Sequence, residues 1–360
     1  MKGLILCGGR GTRLRPFSHS RPKHLLPVAN QPVIQYAIDK IRKAGIEEIG
    51  IVVPPHFKSR FEELLGYGNE EVSLQYIEQH EAKGIADAVQ TAREFIGNDS
   101  FLLFLGDNFY SGDLDELVRR YQHDKPEALL LVSHVPNPSQ FGVVQFEGAR
   151  IVRVVEKPKN PPSSYAIIGI YLFSPSIFEA IYDLSPSSRG EYEITDAIQG
   201  LIDKGYTVTA LPADVWWKDT GQPKNLLTCN RQVLLELRGE TYGPDVNIES
   251  STIEGPVIIE AGAQVVDSII RGPAVIGAGA RIIRSYIGPF TSIGDNVCME
   301  DSEIENSIVL EKTSILKISK RIDESIIGGE VKLEASRGYP RSLRVILGDH
   351  SIMYLPLDDE

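Results

Sequence analysis

Short apolar runs alternate with amphipathic segments from the first residue to about residue 240. Residues 3–7 form an apolar run that indicates a buried strand, and residues 32–44 repeat apolar side chains at helical spacing. The same patterns predict strands at 48–53, 72–76 and 101–105 and helices at 58–65 and 85–95. This alternation predicts an α/β domain with a mostly parallel sheet, which binds ligands beyond the carboxyl ends of its strands.

The spacing between apolar stretches shortens in the middle of the chain. Four predicted strands follow one another closely, at 128–135, 142–146, 151–156 and 166–173. We expect them to add a smaller subsheet over the mouth of the ligand site. Helices are then predicted at 176–183, 194–204 and 223–237, with a strand at 207–211.

A different repeat begins near residue 248. Apolar residues recur every six positions, with one-residue slips after Val265 and Ile282: Ile253, Ile259, Val265, Ile270, Ile276, Ile282, Ile287, Ile293 and Met299. Such a hexad repeat predicts a parallel β-helix, whereas the alternative is a set of short strands in a sandwich. We therefore expect two domains, 1–240 and 241–360, with a final strand or coil over 344–357.

The overall composition excludes several classes of protein. The 360 residues are 42% hydrophobic and 24% charged, with a net charge of −12, as in an ordinary globular protein. This acidic balance argues against a nucleic-acid partner and against an electrostatic membrane anchor. Three scattered cysteines and the lack of a long apolar stretch predict a cytoplasmic protein.

A glycine-rich turn follows the first predicted strand, with the sequence Gly8-Gly9-Arg10-Gly11-Thr12-Arg13. Such a turn can direct several backbone N–H groups at one phosphate, and the cations Arg13 and Lys23 would add positive charge. Its spacing matches neither the P-loop nor the dinucleotide fingerprint. On the glycines alone, a mobile turn with solvated arginines is an equal alternative.

The longer run is far more specific. Gly-Gly-x-Gly-Thr-Arg-Leu-x-Pro at 8–16, with Pro-Lys-x-Leu-Leu-Pro at 22–27, resembles the sugar-1-phosphate nucleotidyltransferases. The resemblance implies a Rossmann-like domain whose loop wraps a nucleoside triphosphate, with Arg13 and Lys23 as the catalytic cations. The implied nucleotide-binding residues are Leu6, Gly8, Gly9, Gly11, Thr12, Arg13, Gln79, Gly84 and Asp107.

Two aspartates are candidate ligands for a magnesium ion (Mg2+). Asp107 follows a predicted strand in Gly-Asp-Asn, and Asp219 lies in Trp-Lys-Asp-Thr-Gly. A carboxylate at a strand end can hold Mg2+ bound to phosphates, but a turn or helix-capping aspartate is the simpler interpretation of each alone. The family resemblance pairs them as joint metal ligands.

Two further segments resemble the family's sugar-binding strands. They are Phe-Gly-Val-Val at 141–144 and Glu-Lys-Pro at 156–158, where Glu156 can accept hydrogen bonds from hydroxyls and Lys157 can meet a phosphate. Without the resemblance, these two side chains would be a solvated ion pair. The implied sugar-binding residues are Asn108, Gly142, Glu156, Lys157, Ile167 and Trp217. The matching segment 189–196 is predicted to be mostly architectural.

The base is expected to lie near Gln79 and Gly84. A glutamine amide offers a donor and an acceptor, which suits the imide edge of thymine or uracil. The resembled pattern usually has Gln or His where this chain has Asp87. This departure weakens the inference about the base more than the inference about the chemistry.

The resemblance covers nearly the whole chain and is strongest to the long members that join dTTP to glucose 1-phosphate. It implies that the tail is a left-handed β-helix, structural or oligomerising, and that the chain forms a homo-oligomer. Alternatives are UTP with glucose 1-phosphate, GTP with mannose 1-phosphate, or a sensor that binds sugar nucleotides without turnover. A second acetyl-transfer site in the tail is disfavoured because His350 stands alone there.

Overall fold

The computed structural model describes residues 1–148, 150–335 and 348–354. Contacts divide the chain into two compact units. The sheet unit comprises Met1–Arg10 and Val33–Asp219, and the coil unit comprises Gly11–Pro32 and Thr220–Glu360. The domain boundary near residue 240 stays a prediction. Half of the strand or coil predicted over 344–357 lies outside the described residues, and the described part, 348–354, contains no strand.

Eight α-helices are present in the described residues. They are α1 (Val33–Lys43), α2 (Lys58–Leu65), α3 (Ile85–Thr91), α4 (Arg93–Ile96), α5 (Asp115–Asp124), α6 (Ile177–Tyr182), α7 (Ile194–Asp203) and α8 (Pro223–Leu234). None of the described helices has the length and apolar character that a membrane crossing requires.

Thirteen strands precede the repeat region. They are β1 (Lys2–Leu6), β2 (Pro27–Val28), β3 (Gln31–Pro32), β4 (Glu48–Val53), β5 (Ser73–Glu78), β6 (Phe101–Leu105), β7 (Asn108–Tyr110), β8 (Ala128–His134), β9 (Gly142–Glu147), β10 (Arg150–Glu156), β11 (Tyr165–Phe173), β12 (Val208–Pro212) and β13 (Trp217–Asp219).

The sheet unit is built on a nine-stranded mixed sheet. Its main path runs β10-β9-β11-β6-β1-β4-β5, and β8 joins β11 and β12. At its centre β1 is parallel to both β4 and β6. Apolar residues of α3, α6 and α7 pack with the sheet in one buried core. The predicted α/β fold is confirmed.

The expected separate subsheet in the middle of the chain is wrong. The strands from β8 to β11 all belong to the main sheet, because β11 is long enough to pair with several neighbours. Its second half pairs antiparallel with β6, as in Ile170 opposite Phe104, and its first half meets β9 at Ala166 opposite Val143. Two small sheets do stand apart from it before the repeat region, one formed by β7 and β13 and one by β2 and β3.

The repeat region forms the predicted left-handed parallel β-helix. Three parallel ladders stack successive coils, so that Asn247 lies over Gln264 and Arg281 over Cys298. The predicted inward positions line its core, and Ile259, Val265, Ile276 and Ile282 are all fully buried. Its strands are Glu240–Tyr242, Asn247–Glu249, Thr252–Glu254, Val257–Ile259, Gln264–Val266, Ile269–Arg271, Ala274–Ile276, Arg281–Ile283, Tyr286–Ile287, Thr291–Ile293, Cys298–Glu300, Glu303–Ile304, Ile308–Val309, Ser314–Leu316, Ile326–Ile327 and Lys332–Glu334.

Stacked serines explain the one-residue slips. Ser251, Ser268, Ser285 and Ser302 follow one another at intervals of 17 residues. Each hydroxyl donates to the carbonyl two residues before it, and the first three accept the backbone N–H of the next serine. Each serine hydroxyl therefore satisfies backbone groups at one corner of its coil, and this corner is one residue shorter than the other corners of the coil.

Candidate active site

The predicted ligand edge contains the ends of β1 and β6. The backbone N–H of Gly106 donates to the carbonyl of Leu6 at 3.0 Å, and that of Cys7 donates to Val52 at 2.8 Å. The turns that follow these strands, at Gly8 and at Asp107, therefore begin side by side. The sequence prediction that both lie at one edge of the sheet is confirmed.

Gln79 lies directly beside Gly8. A Cβ placed on Gly8 would be 2.5 Å from Oε1 of Gln79, whose side chain is buried. Its Nε2 donates to Oδ2 of Asp87 at 2.7 Å. One N–H of Nε2 is therefore bound to Asp87, which orients the amide so that its acceptor Oε1 faces Gly8.

Gly84 packs against the backbone of the segment predicted to be architectural. A Cβ placed on Gly84 would lie 2.5 Å from the carbonyl oxygen of Tyr192. Tyr192 also accepts from the N–H of Ala86 at 3.1 Å and donates to the carbonyl of Lys83 at 2.7 Å. These contacts give Gly84 a packing role, whether or not it also contacts a nucleotide.

The two predicted metal ligands are brought together by β7 and β13. These strands are antiparallel, and Asp219 is the register partner of Asn108, the residue after Asp107. Both carboxylates are half-buried. Within the described ranges, no group of three or more His, Cys, Asp or Glu could hold a metal. Two carboxylates suit Mg2+, which commonly takes its remaining ligands from phosphate oxygens and water.

Asn108 has a structural commitment that its sequence motif does not reveal. It is buried, and its Nδ2 donates to the carbonyl of Ile168 at 2.6 Å. Gly169 makes this possible, because its φ of +77° favours glycine and a Cβ there would lie 2.1 Å from Nδ2. Asn108 thus ties β7 to β11 at the side of the candidate metal site.

The predicted sugar-binding residues converge on Gly142. Glu156 is its register partner on β10. A Cβ placed on Gly142 would lie 2.7 Å from Cγ2 of Thr195, 3.2 Å from Oε2 of Glu156 and 3.5 Å from Cδ1 of Ile167. The missing side chain therefore leaves a recess lined by a carboxylate, a threonine and an apolar side chain.

Trp217 connects this recess to the paired aspartates. Its ring lies edge-on to that of Phe141, with the ring centroids 5.5 Å apart. Phe141 immediately precedes Gly142, and Trp217 shares β13 with Asp219. One three-residue strand thus carries both a candidate metal ligand and a side chain beside the recess.

Arg189 and Thr195 are candidate site residues that the sequence interpretation missed. Glu156 meets Nζ of Lys157 and a guanidinium nitrogen of Arg189, each at 3.3 Å, and Oγ1 of Thr195 at 3.4 Å. Arg189 also pairs with Glu193 at 3.7 Å. The available signal was Arg-Gly-Glu-Tyr-Glu at 189–193, which sets one cation among acids.

Two acids stand close to this ion-pair network: Glu193 is buried, and Asp196 is largely exposed. Burial raises the pKa of Glu193, and the charge of Glu156 raises it further, while Ser187 and Arg189 oppose the shift. Burial raises the pKa of Asp196 as well, again with a contribution from Glu156. The region is therefore rich in hydrogen-bond acceptors, as a ligand with many hydroxyl groups requires.

The loop with the predicted catalytic cations belongs to the coil unit. Ser18 donates from Oγ to the carbonyl of Gly11 at 2.7 Å, and a Cβ placed on Gly11 would lie 3.5 Å from Cβ of Lys23. The loop therefore closes on itself at these residues. Thr12–Leu14 form one turn of 3-10 helix, in which Thr12 and Arg13 are exposed and Leu14 is buried.

Comparison with known proteins identifies the family. The family model described as nucleotidyl transferase matches residues 2–236. The chain belongs to the nucleotidyl transferase family. Its matched range includes both paired aspartates, the recess at Gly142 and the glycine-rich loop. The prediction that the chain is a nucleotidyl-transferring enzyme is confirmed.

Relatives and a solved structure support this membership. A glucose-1-phosphate thymidylyltransferase of Streptomyces griseus is 43% identical over 356 residues, covering 98% of each chain. A UTP–glucose-1-phosphate uridylyltransferase of Haloferax volcanii is 37% identical over 62% of this chain and 93% of its own. The structure of a Bacillus anthracis protein crystallised with sucrose, assigned as a glucose-1-phosphate thymidylyltransferase, is 38% identical. It matches with a TM-score of 0.62 over 66% of this chain and 96% of that chain.

Proposed function

We propose that this nucleotidyltransferase joins dTTP to α-D-glucose 1-phosphate, producing dTDP-glucose and pyrophosphate. The main support is the pairing of β7 with β13, which sets Asp219 beside the Asp107 turn and Trp217 beside the recess at Gly142. Because the phosphate of the sugar must reach the α-phosphorus of the nucleotide, the transfer needs the triphosphate site and the sugar site to be neighbours. β13 contributes a residue to each. The full-length likeness to the Streptomyces griseus enzyme supports the choice of substrates.

The reaction needs no general base. A sugar phosphate has a second pKa of about 6, so it is mostly a dianion at neutral pH. One of its oxygens attacks the α-phosphorus of dTTP, and the bond from that phosphorus to the bridging oxygen breaks. Pyrophosphate leaves with the bonding electron pair. Arg13, Lys23 and the N–H groups of the glycine turn would stabilise the developing charge.

Mg2+ fits the residues that the β7–β13 pair brings together. Asp107 and Asp219 would hold it, because two carboxylates leave positions for phosphate oxygens. When bound, it would neutralise charge on the triphosphate and so favour attack by an anion. The protein's own part would be to hold Asp219 opposite Asn108, the residue after Asp107, through the pairing of β13 with β7.

The sugar phosphate is assigned to the recess at Gly142. Glu156 would accept hydrogen bonds from sugar hydroxyls, and its pairs with Lys157 and Arg189 orient it for that task. Lys157 would meet the sugar phosphate. The backbone of Gly142 and Ile167, with the side chains of Asn108 and Trp217, would complete the sugar site.

The base is assigned to Gln79. Since Asp87 holds the amide donor, the acceptor Oε1 is presented beside Gly8. An acceptor there suits the N3–H of thymine or uracil and also the N1–H of guanine. UTP with glucose 1-phosphate is thus the second candidate, supported by the Haloferax volcanii relative. GTP with mannose 1-phosphate is the third.

Pyrophosphate release tests the proposal. Purified protein with Mg2+ receives each of dTTP, UTP, GTP and ATP, paired with glucose 1-phosphate or mannose 1-phosphate. The fastest release is expected with dTTP and glucose 1-phosphate, and a faster alternative pair would overturn the specificity. Nucleotide binding without release from any pair would favour a sensor. A cytoplasmic location and a homo-oligomeric state stay predictions.

A further inference from the structure

The loop with the proposed catalytic cations is held by the β-helix. Gly11–Pro32 groups by its contacts with the coil unit, although almost 200 residues separate it in sequence from the rest of that unit. The loop meets the rest of that unit at several places, including Arg15 and His19 against His350. At two further places it is bonded to the β-helix itself. One lies next to Lys23, and the other lies in the turn between β2 and β3.

The contact near Lys23 is a two-pronged ion pair. Arg21 donates from one guanidinium nitrogen to Oε2 of Glu311 at 3.3 Å, and its other nitrogen meets Oε1. Burial alone would raise the pKa of Glu311, but the hydrogen bonds and charge of Arg21 leave that pKa lowered. Glu311 is therefore an anion at neutral pH. Because two nitrogens of the planar guanidinium bind the two carboxylate oxygens, the pair fixes the orientation of the Arg21 side chain as well as its distance from Glu311.

The second contact is a buried polar network. The backbone N–H of Ala29 donates to Oδ1 of Asn230 at 2.8 Å, and Ser292 donates to the same oxygen at 2.7 Å. Asn30 donates from Nδ2 to the carbonyl of Ile293 at 2.7 Å. Asn230 and Ser292 are essentially buried, so this end of the loop is fixed to the coils.

We propose that Glu311 is a positioning residue for nucleotidyl transfer, acting through Arg21 on the loop that carries Arg13 and Lys23. This inference rests on the proposed roles of those two cations. Arg21 lies two residues before Lys23, so a change in its direction moves the backbone that presents the ammonium group. Small misplacements of catalytic groups cost up to about a hundredfold in rate. The β-helix thus contributes to the reaction as well as to the architecture.

The ion pair itself contributes little to folding. Its side chains are 31% and 36% exposed, and partly exposed ion pairs typically contribute little to the free energy of unfolding. A merely structural role would therefore leave the rate nearly unchanged when the pair is broken. This difference separates positioning from general stability.

Glu311→Gln is the test variant, with Glu330→Gln as its control. Glu330 is an exposed carboxylate on the β-helix, 3.7 Å from Lys312. We expect Glu311→Gln to lower kcat/KM for the nucleotide at least about tenfold with little change in melting temperature, while the control keeps the wild-type rate. Swapping the charges in the double variant Arg21→Glu with Glu311→Arg should restore part of the lost rate. An unchanged rate in Glu311→Gln would overturn the proposal.

Amide hydrogen exchange supplies a second readout that needs no turnover. We expect faster exchange across residues 11–25 in Glu311→Gln and in Arg21→Lys. The lysine keeps the positive charge but cannot bind the carboxylate through two nitrogens. Unchanged exchange in both variants would overturn the proposal even if the rate fell. If wild-type protein releases no pyrophosphate from any substrate pair, the proposed function fails, while the exchange experiment still decides whether Glu311 holds the loop.

Discussion

Replacing Asp87 by Asn should weaken the enzyme's choice between bases. Nε2 of Gln79 donates to Asp87 at 2.7 Å, which leaves Oε1 as the atom proposed to meet the base. A base that offers an acceptor, such as cytosine at N3, would require the amide to turn over. The turn would break the bond to the Asp87 carboxylate.

The size of the effect follows from that bond. Hydrogen bonds to charged groups contribute about 1.5–3 kcal/mol, and about 1.4 kcal/mol is a tenfold change in affinity. Asp87 should therefore contribute about ten- to a hundredfold to discrimination against CTP. In Asp87→Asn the new amide can accept or donate, so either orientation of Gln79 keeps a partner and this contribution is lost.

Equilibrium dialysis without sugar phosphate measures the relevant constants. The ratio of the Kd for CTP to the Kd for dTTP should fall at least about tenfold in Asp87→Asn. The ratio matters because a loss of charge near the triphosphate affects both nucleotides alike. Glu94→Gln removes an exposed charge a short way along the chain and should leave the ratio unchanged. An unchanged ratio in Asp87→Asn would refute the idea that Asp87 orients Gln79.

Three further variants test other parts of the site and fold. Asp219→Asn should lower pyrophosphate release roughly a hundredfold or more, because a bound metal supplies several kcal/mol, without lowering the melting temperature. Asn230→Ala should cost about 3 kcal/mol in denaturant unfolding by leaving buried groups unpaired, whereas the exposed Asn247→Ala should cost less than about 0.5. Burial raises the pKa of Glu193, so the native state loses stability as pH rises from the ordinary value of 4.5 through the raised pKa. Glu193→Gln should reduce the fall in melting temperature as pH rises above 4.5, and an unchanged slope would contradict this assignment.

The β-helix could be predicted because its information is local. Each inward aliphatic side chain stacks on its equivalent in the neighbouring coil, as Ile276 does on Ile259. The period therefore appears directly in the sequence. Even the slips after Val265 and Ile282 have a local cause, since the serines Ser268 and Ser285 follow them at the shorter corners.

The sheet assignment of the middle strands could not be predicted in the same way. Alternating apolar residues identified β8 to β11 as strands, but the pattern does not state which neighbour each strand takes. That choice depends on β11, whose nine residues are shared among β6, β8 and β9. The register of β11 shifts around Gly169, where a residue distant in sequence, Asn108, donates to the carbonyl of Ile168.

The candidate site was predicted best where a motif carries the chemistry. Gly142, Glu156 and Ile167 were expected together and lie together, but Arg189 was assigned to architecture although it pairs with Glu156. In the sequence, an arginine among glutamates is typical of an exposed surface segment. Only the fold brings Arg189 to Glu156 at the end of β10. The hold of Glu311 on the loop has no sequence signature, because Arg21 and Glu311 are 290 residues apart.

The most direct test of the account counts both products of one reaction. Wild-type protein is incubated with dTTP, glucose 1-phosphate and Mg2+, and pyrophosphate and dTDP-glucose are quantified in the same sample. We expect the two products to appear in equal amounts and neither to appear when glucose 1-phosphate is left out. Release of pyrophosphate without the sugar phosphate, or binding of dTTP with no dTDP-glucose formed, would contradict direct transfer to the sugar phosphate.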